Sequence, residues 1–322
     1  MNTLETFCTG TLTCFLIAAS VCFSASVTTE TKVEEAPQSL RFDALKSLGD
    51  PSLPGTLPTY FSPHYRAQAL AEQRLLGGEV DYYRKELGIR MDLSLGVLDR
   101  TQWTKVTADY PYGMPNEDGH PYVILFPANL GDAREMMQAE RDVDPAVVRA
   151  VKSRGSTWDS AAAKSFNMIG LHEVGHAILE AYGIVPGTRW LNEFLATYIA
   201  YAYVESRRPD LRWLWPVIQA GNQLDRPQKH VSLDDFESMY MALVTDDSGD
   251  NNYGWYQGQI FEQVKKVYQQ HGLAFLKLVR AEFPADSQWF ALGNQKTLEK
   301  LERISPGFIG WSRKLEANSR RK

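Results

Sequence analysis

The sequence predicts an α+β fold, with a small β-sheet in the N-terminal part packed on a mostly helical C-terminal part. Three observations carry this expectation. Short runs that alternate, or that are rich in β-branched and aromatic residues, are confined to the region from about 88 to 130. From about 130 onward, apolar residues recur at helical spacing almost to the end of the chain. The composition, 44% hydrophobic and 23% charged over 322 residues, is that of a globular protein with material for a sizeable core.

The elements follow in order. Residues 12–23 form an apolar run too short for a comfortable transmembrane span, and the small residues Ser24, Ala25 and Ser26 follow it. Residues 1–26 therefore read as an export signal, although Glu5 stands where basic residues are usual. The expectation is a periplasmic or secreted protein with no stable membrane insertion after cleavage. A lipid anchor on Cys22 is not expected, because Val21 is a poor residue to precede one. Cys8, Cys14 and Cys22 are the only cysteines, so the mature chain would have neither thiol nor disulfide. Residues 27–62 read as a linker, polar and Thr/Glu-rich at first and then extended around Pro51, Pro54 and Pro58.

The main domain is expected over 63–322, as a mixed helix and β part to about 130 and a helical part from 131. Residues 66–87 read as a helix, with Ala69, Leu70, Leu75 and Leu76 apolar and a break expected at Gly77-Gly78. Leu93, Leu95 and Val97 alternate with polar or small residues and predict a strand. Residues 122–126, ended by Pro127, predict a second strand, either an open edge able to pair with an extended peptide or an interior strand. A turn-rich loop around 110–115 lies between them. Helices are then expected at 145–153, 159–182, 190–206, 211–223, 233–243, 255–271, 273–281 and 296–303, with residues 313–322 as a basic solvated tail. A net charge of -5 gives no reason to expect nucleic acid as a partner.

The segment that carries chemistry is His172-Glu173-Val174-Gly175-His176. On a helix, residues i and i+4 share a face, so the two imidazoles can grip one metal ion. Glu173 lies about 100° around the helix and can lean over an open coordination position. Zinc would lower the pKa of a bound water, and the carboxylate would remove its proton and return it to a leaving amine. With no cysteine in the mature chain, further ligands must be nitrogen or oxygen. Gly183, Pro186 and Gly187 turn the chain, and Glu193 stands in the first turn of the next predicted helix, where an antiparallel pair would bring it back to the histidines.

His-Glu-x-x-His followed by Asn192-Glu193-x-x-Ala196 resembles the gluzincin group of zinc metallopeptidases, the thermolysin-like and M1-aminopeptidase-like enzymes. The resemblance covers about 168–200. It implies a zincin-like catalytic domain acting on peptides or proteins, one Zn2+ held by His172, His176 and Glu193, and Glu173 as general base. It also implies a tyrosine three residues before a helix-starting glycine, as donor to the oxyanion. Counted back from Gly258 that position is Trp255, so its neighbour Tyr256 is the expected catalytic donor, with Tyr253 the alternative. Two other readings remain open: an inactive, zinc-stabilised binding module, and a zinc hydrolase of a non-peptide amide. His230 and His271 are expected to be structural, the acidic stretch 246–251 a solvated loop, and Trp213, Trp215, Trp289 and Trp311 core residues.

Overall fold

The computed structural model describes residues 40–107, 110–119, 121–131, 139–220, 228–244 and 252–317. The expected export signal, the Thr/Glu-rich segment, the three cysteines and the 246–251 loop lie outside these residues.

The chain enters through α1 (Leu40–Ser47), β1 (Ser52–Leu53), β2 (Thr59–Phe61), α2 (Arg66–Leu87), β3 (Leu93–Leu98), α3 (Arg100–Val106), β4 (Asn116–Asp118) and β5 (Tyr122–Pro127). The strands form a mixed sheet in the order β1-β2-β3-β5-β4. β2, β3 and β5 are parallel, and the outer strands β1 and β4 run antiparallel to their neighbours. α1, β1 and β2 fall within the stretch expected to be a linker. Strands of two and three residues are too short to show a period. Pro51, Pro54 and Pro58 flank them, where no ladder N–H is lost.

β5 settles the choice left open between edge and interior strand. It lies between β3 and β4, with Leu95 opposite Ile124 and Glu117 also opposite Ile124. Both of its faces are buried: Tyr122, Ile124 and Phe126 join the main core, and Val123 and Leu125 pack with Leu45, Leu98 and Trp103 on the other side. A continuous apolar run is what such a strand requires. The edge on this side of the sheet is β4, which a turn-rich sequence disguised.

The remaining helices are α4 (Pro145–Ser153), α5 (Trp158–Ala181), α6 (Arg189–Arg207), α7 (Trp215–Ala220), α8 (Leu233–Val244), α9 (Asn252–His271), α10 (Ala274–Glu282), α11 (Gly293–Ile304) and α12 (Phe308–Ala317). The mixed, strongly helical α+β character is as expected. The helix expected from 211 begins instead as a 3₁₀ turn over Pro209–Leu214. Two further expectations are corrected. α2 runs unbroken through Gly77-Gly78, because a Cβ on Gly78 would meet the Tyr203 hydroxyl at 2.6 Å, and the glycine exists for that close approach. Residues 313–317 are not a solvated tail: they complete α12, which buries Phe308, Trp311 and Leu315. No helix among the described residues is long and apolar enough to cross a membrane.

Glu79 on α2 is fully buried, and neither of its carboxylate oxygens has a hydrogen-bond partner among the described residues. Burial pushes its pKa well above the ordinary value of 4.5. A folded-state pKa raised in this way favours the fold below about pH 4.5 and costs stability progressively as pH rises. Glu79→Gln is therefore expected to raise the melting temperature at pH 7–8 by several degrees, on the order of what one removed buried charge gives. The gain should vanish near pH 4, and thermal melts across this range check both limbs.

Candidate metal centre

α5 starts on Thr157, whose hydroxyl accepts a hydrogen bond from Ser160 N at 3.2 Å. Its sequence is apolar on nearly every side because it is a central helix, with α2, the sheet, α6 and α7 around it. From 170 to 180 every residue is buried except His172, Glu173, His176 and Glu180. Glu173, His176 and Glu180 line a cleft of about 360 Å³, walled by Tyr110, Glu117, Tyr240 and Trp289, and His172 lies beside His176.

The partner helix α6 is brought in at very short range. Gly175 sits against the backbone of Ala196, so close that a Cβ on Gly175 would lie 2.7 Å from Ala196 O. The contact joins the glycine between the two histidines to the alanine one turn beyond Glu193. The start of α6 is fixed from outside: Glu237 accepts from Trp190 N at 2.9 Å, and the Trp190 indole donates to Asn294 Oδ1 at 2.7 Å. Glu193, 3% exposed, is thereby laid beside both imidazoles.

Nε2 of His172 is 3.1 Å from Nε2 of His176 and 3.2 Å from Oε2 of Glu193. The three ligand atoms all lie within 4.8 Å of one another. Nitrogen and oxygen atoms bound tetrahedrally at about 2.0–2.1 Å from a common centre stand roughly 3.3 Å apart. The donor set and its spacing thus fit a divalent metal ion, and the group can hold one. Two features support that use. The other ring nitrogen of His172, Nδ1, is 3.0 Å from Thr197 Oγ1, which orients the ring with Nε2 toward the cluster. Glu193 accepts from three side chains: Tyr240 at 2.8 Å, Tyr253 at 3.0 Å and Gln257 at 2.8 Å.

The electrostatics pair the charged Glu193 with His172 and leave His176 neutral. For Glu193, burial opposes ionisation, but the hydrogen bond to His172 and the charges of the histidines hold its carboxyl well below the usual range. Burial and the neighbouring His172 lower His176 to about 4, so it is a neutral imidazole at pH 7. His172 also feels burial, but the Glu193 carboxylate outweighs it and raises its pKa. Glu173 is pushed up to about 7, first by burial and then by Glu193, with His172 working against both. Its Oε2 accepts from the backbone N–H of Glu117 on the β4 edge at 3.0 Å.

The structure therefore brings together His172, Glu173, His176 and Glu193. It does not bring Tyr256 to them. Tyr256 is 1% exposed, packs on Phe236 and Trp255, and donates to Ser232 O at 2.8 Å. Tyr253, four residues before Gln257 on α9, reaches Glu193 instead. His271 ends α9 with Nε2 3.1 Å from Ser305 Oγ, and His230 lies 3.9 Å from Asp235, both away from the cluster. Trp215 and Trp311 are buried, whereas Trp289 is 42% exposed and lines the cleft. Sequence reasoning missed Tyr110, Glu117, Thr197, Tyr240 and Gln257. Thr197 carried a usable signal, one helical turn after Glu193 on the same face. The others come from separate elements and carried none.

Comparisons of the chain with protein-family models, curated proteins and solved structures found no match.

Proposed function

We propose that the protein is a zinc-dependent peptidase, exported from the cell, in which His172, His176 and Glu193 hold the metal and Glu173 is the general base. The observation that carries this is the placement of a second carboxylate, Glu173, beside the three-ligand group and held by the β4 edge. A purely structural metal site has no use for such a group. Two neutral nitrogens and one carboxylate suit zinc, and zinc supplies Lewis acidity and lowers the pKa of water. The close packing of α5 and α6, which lays Glu193 beside both histidines, supports the reading.

The chain's own residues then have assignable tasks. Glu173 takes a proton from the attacking water and returns it to the departing amine. With burial raising its pKa to about 7 and a metal's charge lowering it, the group is poised for both steps. The β4 edge, whose Glu117 N–H already meets Glu173, lies along the cleft where an extended peptide would run.

Negative charge on the carbonyl oxygen needs a donor, and Tyr110 takes the role first expected of Tyr256. Its ring lines the cleft, and its hydroxyl makes no hydrogen bond among the described residues. Burial and the carboxylates of Glu173 and Glu193 keep the phenol protonated. Tyr110→Phe is expected to lower kcat about 10²–10³-fold with KM and metal content little changed. Steady-state kinetics beside metal analysis checks this.

The reading as a whole is tested by measuring zinc content and cleavage of a broad peptide library on one purified sample. One zinc per chain, with cleavage lost on chelation and restored by zinc, is the expected result. Zinc without cleavage would point to a binding module or a non-peptide amide, and absence of zinc would remove the proposal.

A further inference from the structure

We infer that Tyr253 and Gln257 are positioning residues that, with Tyr240, restrict Glu193 to binding the metal through one oxygen. This rests on the metal-centre reading above and extends it to two residues that do not line the cleft.

The hydrogen-bond accounting leads there. An ionised carboxylate offers about four acceptor positions. Tyr240 fills one on Oε1, and Tyr253 and Gln257 fill two on Oε2. Both positions on Oε2 are thereby taken, so room remains for one metal–oxygen bond, on Oε1, and not for two. The Gln257 amide nitrogen also donates to the Tyr253 hydroxyl oxygen at 2.7 Å. Its two N–H bonds are thereby assigned, one to Glu193 and one to Tyr253, and the Tyr253 proton is directed to Glu193. Every bond in the network runs toward the carboxylate.

The geometry sets which oxygen is available. Tyr240 comes from α8 and holds Oε1 on that side. Tyr253 and Gln257 stand four residues apart on one face of α9 and occupy Oε2, which lies 3.2 Å from His172 Nε2 and would otherwise be the second oxygen in reach of the metal. The rings of Tyr253, Tyr240 and Phe236 pack on one another, so the donors have little freedom to swing away. A carboxylate free to rotate could offer both oxygens to the metal and close the position that water and substrate need.

The test uses the full chain and two variants, Gln257→Leu and Tyr253→Phe, the latter removing only a hydroxyl in case the former folds poorly. Zinc affinity is measured by competition with a chromophoric chelator, and the visible spectrum of the cobalt(II)-substituted protein reports coordination number. Each variant is expected to bind zinc about 10–100-fold more weakly. Its cobalt(II) bands should lose intensity as a second carboxylate oxygen enters, with far-ultraviolet circular dichroism unchanged. Unchanged affinity and spectrum in variants that fold would overturn the inference while leaving the metal centre intact. Failure of the unmodified chain to bind either ion would remove both.

Discussion

Replacing Glu173 with glutamine is expected to leave the metal in place and to reduce turnover by about 10²–10⁴-fold. Glu173 is not among the three ligand atoms that converge, so metal content should match that of the unmodified chain. Glutamine keeps the shape, and its carbonyl oxygen can still accept from Glu117 N, so the β4 edge should stay where it is. Only the capacity to carry a proton is lost. The same substitution removes an acid whose pKa burial has raised to about 7. In the metal-free protein a raised pKa costs stability increasingly above the ordinary value of 4.5, so the variant should be no less stable at pH 8. Lost activity with retained metal and an undiminished melting temperature identifies a base. Lost activity with lost metal would make Glu173 a ligand, and unaltered activity would remove it from the chemistry.

The parts of the fold and the site that could be read from the sequence are those encoded over short range. Two histidines and a glutamate within one and a half turns announce their shared face because helix geometry is fixed. The β5 run was readable as a strand, since an interior parallel strand needs apolar residues at consecutive positions. What could not be read depends on contacts between distant segments. Tyr256 was favoured over Tyr253 by its place in a motif. Yet the rotation of α9 turns Tyr256 toward Ser232 and Tyr253 toward Glu193, and nothing local determines that rotation. Tyr240 and Tyr110 reach the cleft from α8 and from the loop before β4, 47 residues from Glu193 and 63 from Glu173 in sequence. The misreading of 313–317 has a different cause. Phe308, Trp311 and Leu315 carry helical spacing, but the basic residues beside them dominate the composition.

The largest structural effect is expected at Gly175. In a helix interior alanine is more stable than glycine by about 1 kcal/mol, so propensity alone would favour Gly175→Ala. The added Cβ, however, would lie 2.7 Å from Ala196 O and 3.0 Å from Ala196 Cα. These are backbone atoms of a helix buried on most sides, with no flexible end that can move aside. α5 and α6 must separate, and overpacking of this kind costs about 1–3 kcal/mol. The steric term should therefore win, and Gly175→Val should exceed it. Because Glu193 is one turn from Ala196, the same displacement carries the third ligand away from His172 and His176. The expected outcome is a lower melting temperature together with zinc binding weakened well beyond the loss in stability. Gly310 supplies the control. It lies within α12 with nothing inside 4 Å of where its Cβ would be, so Gly310→Ala should stabilise the protein by about 0.5–1 kcal/mol and leave zinc affinity alone. Zinc titrations and thermal melts of the two alanine variants separate the claims. If Gly175→Ala behaves like Gly310→Ala, the close approach of α5 and α6 is not what builds the metal site.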